Sequence, residues 1–265
     1  MTLTIIGRCE AEQLTGIALS SSPLSVTARC AFIKADVGAV STQASTDPGL
    51  GPLAVTLLET GYSPESVLSH LRGSDALHEW RQIGIVDKHG RSAAYTGANT
   101  MQHRGHIAEK NFVAMGNGLA SPDVWPRMAQ VFQGTSSEIL EDRLLLALEA
   151  GRDAGGDLLG HLSAGLVVFG KNSYPRTDLR VDMHLPLPGG TRDAVSELRR
   201  IVEAYKPMIE YYEHRPCNVD TVDEWIDWLV KNDPRHLRTL VSQLPDRAQA
   251  EVSTKLEQLA ERTER

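Results

Sequence analysis

The chain has 265 residues, and its 27 Lys and Arg residues stand against 34 Asp and Glu residues, which gives a formal net charge of −7. This acidic balance, without a long run of either sign, argues against a nucleic-acid partner. Its apolar runs are too short to cross a bilayer, and no basic segment precedes an apolar one near residue 1. Cys9, Cys30 and Cys217 lack paired spacing, so neither a disulfide framework nor a thiolate metal site is expected. We therefore expect a cytoplasmic protein with no membrane partner.

Short apolar runs bounded by Gly, Pro, Asp or Ser predict strands along most of the chain. The first begins at Thr2, and the others cover residues 15–20, 35–42, 82–87, 92–97, 162–169 and 178–184. Residues 87–90 form a predicted hairpin turn, in which Gly90 suits a position with positive φ. The 22 Gly and 13 Pro residues argue against an all-helical chain. The pattern predicts a mixed fold with antiparallel sheet.

Helices are predicted between these strands. Ser63 and Ser121 each precede a proline, and a capping residue followed by a first-turn proline is typical of a helix start. Residues 137–150 carry leucines at helical spacing and end at Gly151, and residues 193–212 show the same spacing. We expect these amphipathic helices to pack on a sheet.

The character of the chain changes after residue 212. Pro216 and an acidic stretch break the pattern, and apolar residues then recur at helical spacing among charges. We therefore predict a domain at 1–212 and a C-terminal helical extension at 213–265. The helices of this extension are expected to dock on the body of the protein or on a partner subunit, so a homo-oligomer is an expected partner state, with a dimer favoured.

Thr2 is the most distinctive candidate for chemistry. Removal of Met1 would leave a hydroxyl and a free α-amine on the same residue, and the pKa of such an amine is ordinarily about 7.7 to 8.0. One residue would then supply both nucleophile and base. Many ordinary proteins also begin with Met-Thr, so the alternative is a terminus without a catalytic role.

Several separated blocks of the sequence together resemble a known family. The blocks lie in order at residues 38–52, 81–87, 95–98, 116–117, 154–157, 163–164 and 178–182. They resemble the bacterial and archaeal family called domain of unknown function 1028, which belongs to the N-terminal-nucleophile (Ntn) hydrolase superfamily. The resemblance covers about residues 1 to 212 and leaves the tail outside.

This resemblance implies an α+β fold, a four-layer αββα sandwich of two antiparallel sheets with helices outside. The amino end of the first strand would open into a cleft, and the processed Thr2 would attack an amide carbonyl to give an ester that water hydrolyses. Fold membership alone does not fix a substrate.

Two further residues are candidates for the catalytic machinery. Asn117 could donate an amide hydrogen to a developing oxyanion, although Asn between glycines also forms ordinary turns. Asp157 belongs to one of the blocks, and a carboxylate near a terminal ammonium would tune its proton affinity. The predicted catalytic set is thus Thr2, Asn117 and Asp157.

Polar residues at strand ends are candidates for binding a small-molecule substrate. Thr42, Gln43 and Thr46 could orient a substrate, or they could simply cap the end of a strand. Arg180 shares a strand face with Asp178 and Asp182, where it could fork onto a substrate carboxylate or join a buried ion-pair network. The predicted substrate-binding set is Thr42, Gln43, Thr46, Ser163, Arg180 and Asp182.

No metal or cofactor is expected. His103 and His106 lack a third ligand at zinc-like spacing. The glycine-rich stretches are not followed by the Lys-Ser or Lys-Thr pair of a phosphate-binding loop. The sequence therefore favours an Ntn-type hydrolase that cleaves a carbon–nitrogen, amide-like bond of a small molecule. The alternative is a non-catalytic protein of this fold that binds a ligand or takes part in an assembly.

Overall fold

The computed structural model describes residues 1–185 and 193–214, with isolated residues and pairs between 230 and 254. Within these residues the strands form two antiparallel sheets. In chain order they are β1 (Thr2–Cys9), β2 (Leu14–Ser21), β3 (Ala31–Lys34), β4 (Gly38–Ala44), β5 (Arg81–Asp87), β6 (Ser92–Thr96), β7 (Gly105–Glu109), β8 (Phe112–Asn117), β9 (Ser163–Phe169) and β10 (Thr177–Val181). The helices are α1 (Val26–Cys30), α2 (Leu50–Glu59), α3 (Pro64–Ser74), α4 (Val124–Gly134), α5 (Leu140–Asp153), α6 (Ala194–Tyr205) and α7 (Ile209–His214).

Strand β1 lies near the centre of the larger sheet. The six-stranded sheet has the order β10-β9-β2-β1-β8-β7, and the four-stranded sheet has the order β3-β4-β5-β6. In β1, Thr2 pairs with Ser21 on one side and with Asn117 on the other. The start of β1 is therefore held from both sides.

The inner faces of the two sheets pack against each other. Because side chains alternate along a strand, Ile6 points inward while Leu3 and Ile5 point outward. Ile6, Leu19 and Met115 of the larger sheet share one core with residues of the smaller sheet such as Val86. At Gly84 a Cβ atom would lie 3.0 Å from the Met115 sulfur, so the missing side chain lets the sheets approach closely.

Helices cover the outer face of each sheet. Leu58 of α2 and Leu71 of α3 pack on the outward residues of β4 and β5. On the larger sheet, a Cβ atom at Gly7 would overlap the Phe132 ring of α4 and lie 3.0 Å from Leu144 of α5. The order of layers is therefore helix, sheet, sheet, helix, and the predicted αββα sandwich of antiparallel sheets is confirmed.

Several predicted boundaries were wrong. The strand predicted at 35–42 begins at Gly38, because residues 34–37 form a turn in which Asp36 has a φ of 54°. The strand predicted at 178–184 ends at Val181, so Asp182 lies beyond it. The helix predicted to stop at Gly151 continues to Asp153. Strands β3, β7 and β8 and helices α1 and α2 were not predicted.

The chain divides into two compact units, Met1–Arg200 and Ile201–Arg265. In the second unit, α6 gives way to a 3-10 turn at Lys206–Met208 and then to α7, and the rings of Tyr205 and Tyr212 stack with centroids 5.6 Å apart. Most of residues 215–265 lie outside the described part, so the boundary after residue 212 and the helical tail stay predictions. Within the described residues, no helix combines the length and apolar character required to span a bilayer.

Candidate functional site

A row of four polar side chains crosses the larger sheet at the start of β1. Ser163, Ser21, Thr2 and Asn117 are neighbours in the register of β9, β2, β1 and β8. Residues paired directly across strands project to the same face, and this face points toward the smaller sheet. Each of the four is at most 5% exposed. We call these four residues the Thr2 row.

A second polar row faces it from the smaller sheet. Gln43, Gln82 and Thr96 are neighbours in β4, β5 and β6, and both glutamines are fully buried. We call these three residues the Gln82 row. The two rows are joined by hydrogen bonds, since Asn117 Nδ2 donates to Gln82 Oε1 at 3.0 Å and Gln43 Nε2 contacts the Thr2 carbonyl at 3.4 Å.

The bonds around Gln82 fix the direction of the network. Gln82 Nε2 donates to the carbonyls of Gly105 and Gly116 at 3.0 and 2.9 Å. Because carbonyls only accept, this end of the side chain must be the NH₂ group, and Oε1 must be the acceptor for Gln43 Nε2 at 2.7 Å. Gln43 Oε1 then accepts from the Thr4 hydroxyl at 2.6 Å. The amides beside Thr2 are thus held in one orientation.

Thr2 itself is covered by Met1. Thr2 Oγ1 lies 2.9 Å from Ser21 Oγ, and Ser21 Oγ donates its proton to the Met1 carbonyl at 2.5 Å. Thr2 is consequently the donor to Ser21. Met1 also packs over Gly118, where a Cβ atom would overlap Met1 Cγ and where φ is 64°. A side chain at position 118 would therefore displace Met1.

Asp157 and Ser163 bind backbone groups next to the Thr2 row. The Asp157 carboxylate accepts from the backbone N–H of Ser22 at 2.7 Å and from that of Leu159 at 2.9 Å. Ser163 Oγ accepts from the Val26 N–H at 3.1 Å and donates to the Pro23 carbonyl. Both side chains hold the segment that follows β2, which is the strand that carries Ser21.

The structure does not bring Thr42 and Thr46 to Thr2. Along β4, Gln43 points between the sheets, so Thr42 points outward on the face covered by α2. Thr46 Oγ1 donates to the Thr42 carbonyl at 2.9 Å. This is the strand-end bonding that the sequence left as the alternative.

Arg180 shares the inward face with Thr2 but lies on the edge strand β10, three strands from β1. Its Nε and Nη2 atoms donate to both carboxylate oxygens of Asp178, at 2.6 and 2.8 Å, and these bonds raise the pKa of Arg180. The Arg180 side chain is 39% exposed, so the pair is not the buried network considered from the sequence. Asp182 is exposed too, and its carbonyl accepts from the Ser25 N–H.

Ser21, Gln82 and the buried His161 were not predicted as site residues. Gln82 had a detectable signal, since it is a polar residue in a strand whose following residues 83–86 are apolar on both faces, and such a strand is typically buried. Ser20 Oγ donates to the Ser163 carbonyl at 2.9 Å, so His161 Nδ1 donates to Ser20 Oγ at 2.8 Å. Burial lowers the pKa of His161.

The two histidines weighed as metal ligands belong to different elements. His103 lies in a loop, whereas His106 belongs to β7, with its Nδ1 atom 2.8 Å from Thr96 Oγ1, and burial lowers the pKa of His106. In the part of the chain that the structure describes, no group of three or more His, Cys, Asp or Glu side chains is arranged to hold a metal ion.

Comparisons with known proteins identify the family. A crystal structure of a protein from Silicibacter pomeroyi, assigned to DUF1028, is 25% identical, covers 77% of this chain and 88% of that chain, and has a TM-score of 0.69. Anbu (ancestral beta-subunit) from Yersinia bercovieri is 9% identical, with 80% and 97% coverage and a TM-score of 0.35. No curated protein matches the chain. The profile of the family of unknown function DUF1028 matches residues 2–188, well over half of the sequence, and the chain therefore belongs to this family.

Proposed function

We propose that the protein is an N-terminal-nucleophile hydrolase that cleaves a carbon–nitrogen, amide-like bond of a small molecule, in a form that begins at Thr2. The observation that carries this proposal is the position of Thr2 at the start of a central strand, in a row of buried polar side chains that faces the buried amides of Gln43 and Gln82. A hydrophobic core has no need of so many polar groups at one end, because a buried polar group lowers stability unless it finds a hydrogen-bond partner.

In the proposed reaction, Thr2 Oγ1 attacks the carbonyl carbon of the amide while the Thr2 α-amine takes the hydroxyl proton. The tetrahedral intermediate then collapses, the carbon–nitrogen bond breaks, and the amine passes its proton to the departing nitrogen. The acyl group remains as an ester on Thr2. Water, deprotonated by the same amine, attacks this ester and releases the carboxylic acid and free Thr2.

The neighbours of Thr2 suit supporting roles in this reaction. Ser21 Oγ, 2.9 Å from Thr2 Oγ1, would orient the hydroxyl, and it would lose its Met1 acceptor in the processed form. Asn117 uses one N–H for Gln82 and pairs with Thr2 across β1 and β8, so its amide would donate to an oxyanion that forms beside Thr2. Gln43 lies against the Thr2 carbonyl and would position the terminal residue.

A non-catalytic role has one observation in its favour. With Met1 in place, the Thr2 nitrogen is an amide and cannot act as a base, and Met1 is itself held by Ser21 and packed over Gly118. A protein that retains Met1 would use this end of the sandwich for binding or assembly.

The test compares two forms of the chain, one that begins at Thr2 and one that retains Met1, with each N-terminus verified by mass spectrometry. Both are incubated with small linear amides, cyclic amides and ureides, and amine release is measured. We expect turnover only in the Thr2 form, rising with pH as the α-amine loses its proton. An acyl adduct on the N-terminal peptide would identify the ester.

Substitutions at Thr2 provide the control. Thr2→Ala removes the nucleophile and one hydrogen bond, so activity should vanish while stability falls by only about 1 kcal/mol. Thr2→Ser should retain activity, and Thr60→Ala, at an exposed threonine, should change nothing. Equal turnover by Thr2→Ala would refute the nucleophile. Tight ligand binding without turnover in the Thr2 form would favour the non-catalytic role.

A further inference from the structure

The end of β1 remote from Thr2 carries an arginine between the two sheets. Arg8 is six residues from Thr2 along β1, so strand alternation points both side chains to the same inward face. Six residues of extended chain place the two Cα atoms about 20 Å apart. Arg8 pairs with Thr15, and Thr15 pairs with Phe169. These three residues form the last inward-facing row at this end of the larger sheet.

Among the described residues, the guanidinium of Arg8 has no bonding partner. Its Nη1 atom is buried and makes no hydrogen bond, and no carboxylate of that part of the chain forms an ion pair with it. Glu10, two residues away, is bonded to Lys110 and Asn111 instead. An arginine stays charged in a protein and presents five donors, so buried donors without an acceptor are costly. Such a group is complementary to an anion that carries acceptor oxygens.

Arg8 opens into a cavity of about 280 Å³. Its floor is the row of Arg8, Thr15 and Phe169, and its rim consists of the turn at residues 34–37 and the turn at residues 88–89. Lys34 and Lys88 stand on this rim, and Asp36 is the acidic residue that lines the cavity with them. The lining therefore carries an excess of positive charge.

Of the two rim lysines, Lys88 is the one available to a ligand. Lys34 points to the outer face of the smaller sheet, because its neighbour Ile33 packs between the sheets, and it pairs there with Glu59 of α2 at 2.6 Å. Lys88 pairs with Asp36 at 3.4 Å, and these two side chains are 44% and 84% exposed. Because an ion pair as exposed as this contributes little to stability, a bound anion can attract the Lys88 ammonium at small cost.

The rim of the cavity is held in place by its own hydrogen bonds. The buried Asp87 accepts from the backbone N–H groups of His89 and Arg91, each at 2.9 Å. The Lys88 N–H donates to the Val37 carbonyl at 2.9 Å, which ties the two turns together. The cavity is thus formed before a ligand arrives, which lowers the ordering cost of binding.

We propose that this cavity binds the oxyanion group of a small ligand, a phosphate or a carboxylate, through the guanidinium of Arg8. A guanidinium forks onto two oxygens of either group, and the ammonium of Lys88 adds positive charge at the rim. The site is independent of the Thr2 row and does not require removal of Met1.

The test is calorimetric titration of the full chain with inorganic phosphate and, separately, with succinate. We expect saturable one-to-one binding of at least one anion at millimolar concentration or below, and the tighter of the two identifies the oxyanion class. Arg8→Met should weaken that binding by about tenfold or more, which is about 1.4 kcal/mol. Arg8→Lys, which keeps the charge but loses the fork, should lie between.

Arg29→Met is the matched control, because Arg29 is exposed, lies outside the cavity and gives the same charge change. It should leave the affinity unchanged. Unaltered affinity in Arg8→Met, or no saturable binding of either anion, would overturn the proposal. If Arg8→Met does not fold, Lys88→Met decides: weaker binding supports the site and unchanged binding refutes it.

Thermal unfolding gives a readout that a purely structural arginine would not move. The bound anion should raise the melting temperature of the wild-type chain through mass action. In Arg8→Met the melting temperature without anion should not fall, because an unpaired charge has been removed, and addition of the anion should no longer raise it. An equal rise in both proteins would contradict the assignment.

Discussion

Replacement of Gln82 by leucine tests whether the buried amide network holds the two sheets together at the Thr2 end. Leucine has a similar volume but no hydrogen-bonding group. Gln43 and Asn117 would each lose their acceptor, and the carbonyls of Gly105 and Gly116 would each lose a donor. An unpaired buried group costs about 1 kcal/mol or more, so the four together predict a loss of about 4 kcal/mol or more.

Urea unfolding followed by circular dichroism measures this loss as a change in the midpoint at constant slope. In a domain of this size, each kcal/mol lowers the melting temperature by about 2 to 4 °C, so a fall of about 10 °C is expected. Gln130→Leu is the matched control. Gln130 is exposed on α4, and its substitution should change the free energy of unfolding by no more than about 0.5 kcal/mol.

Gln82→Glu sharpens the test because it keeps the shape and one acceptor oxygen. Its second oxygen would face the Gly105 and Gly116 carbonyls, which now accept from Nε2. The repulsion should favour the protonated acid, so this variant should gain stability relative to wild type as the pH is lowered. If Gln82→Leu loses less than about 1 kcal/mol, the network does not stabilise this end as argued.

Two further predictions concern pH and packing. Burial holds the pKa of His161 below its usual 6.5, so the unfolded chain binds more protons, and the free energy of unfolding should fall as the pH drops below that value. His161→Asn should make this fall shallower; an unchanged pH profile would contradict the argument. At Gly97 a Cβ atom would overlap the Glu79 carbonyl oxygen, so Gly97→Ala should cost about 1 to 3 kcal/mol in urea unfolding. Gly73→Ala, in open space on α3, should instead stabilise by about 0.5 to 1 kcal/mol; similar effects of both changes would refute the packing argument.

The sequence predicted a helix cap and a hairpin turn correctly. Ser63 caps α3 by accepting from the Ser66 N–H at 3.3 Å, as a serine before a first-turn proline predicts. The hairpin between β5 and β6 turns at residues 87–90, and Gly90 has the predicted positive φ of 77°. These features depend only on neighbours within a few residues along the chain.

The candidate site could be predicted only in part. Thr2 and Asn117 lie side by side in the register of β1 and β8, although β8 was missed because residues 115–118, around its end, have the composition of a turn. Gln43 was expected and Gln82 was not, yet the two are paired neighbours on β4 and β5. Strand alternation separates Gln43 from Thr42, so the two could not both face Thr2.

The sequence by itself determined the alternation of β1, the capped start of α3, the hairpin turn and the family resemblance, because each depends on local pattern. The start predicted at Ser121 was wrong, since α4 begins at Val124 after Asp123. Tertiary structure alone decided that Thr2, Ser21 and Asn117 form one row and that Gln82 meets Asn117 across the sheets. It also left Arg8 without a partner among the described residues, at the far end of the same strand. Strand order and register bring together residues that are distant in sequence, and the pattern within a single strand contains no information about which strand lies beside it.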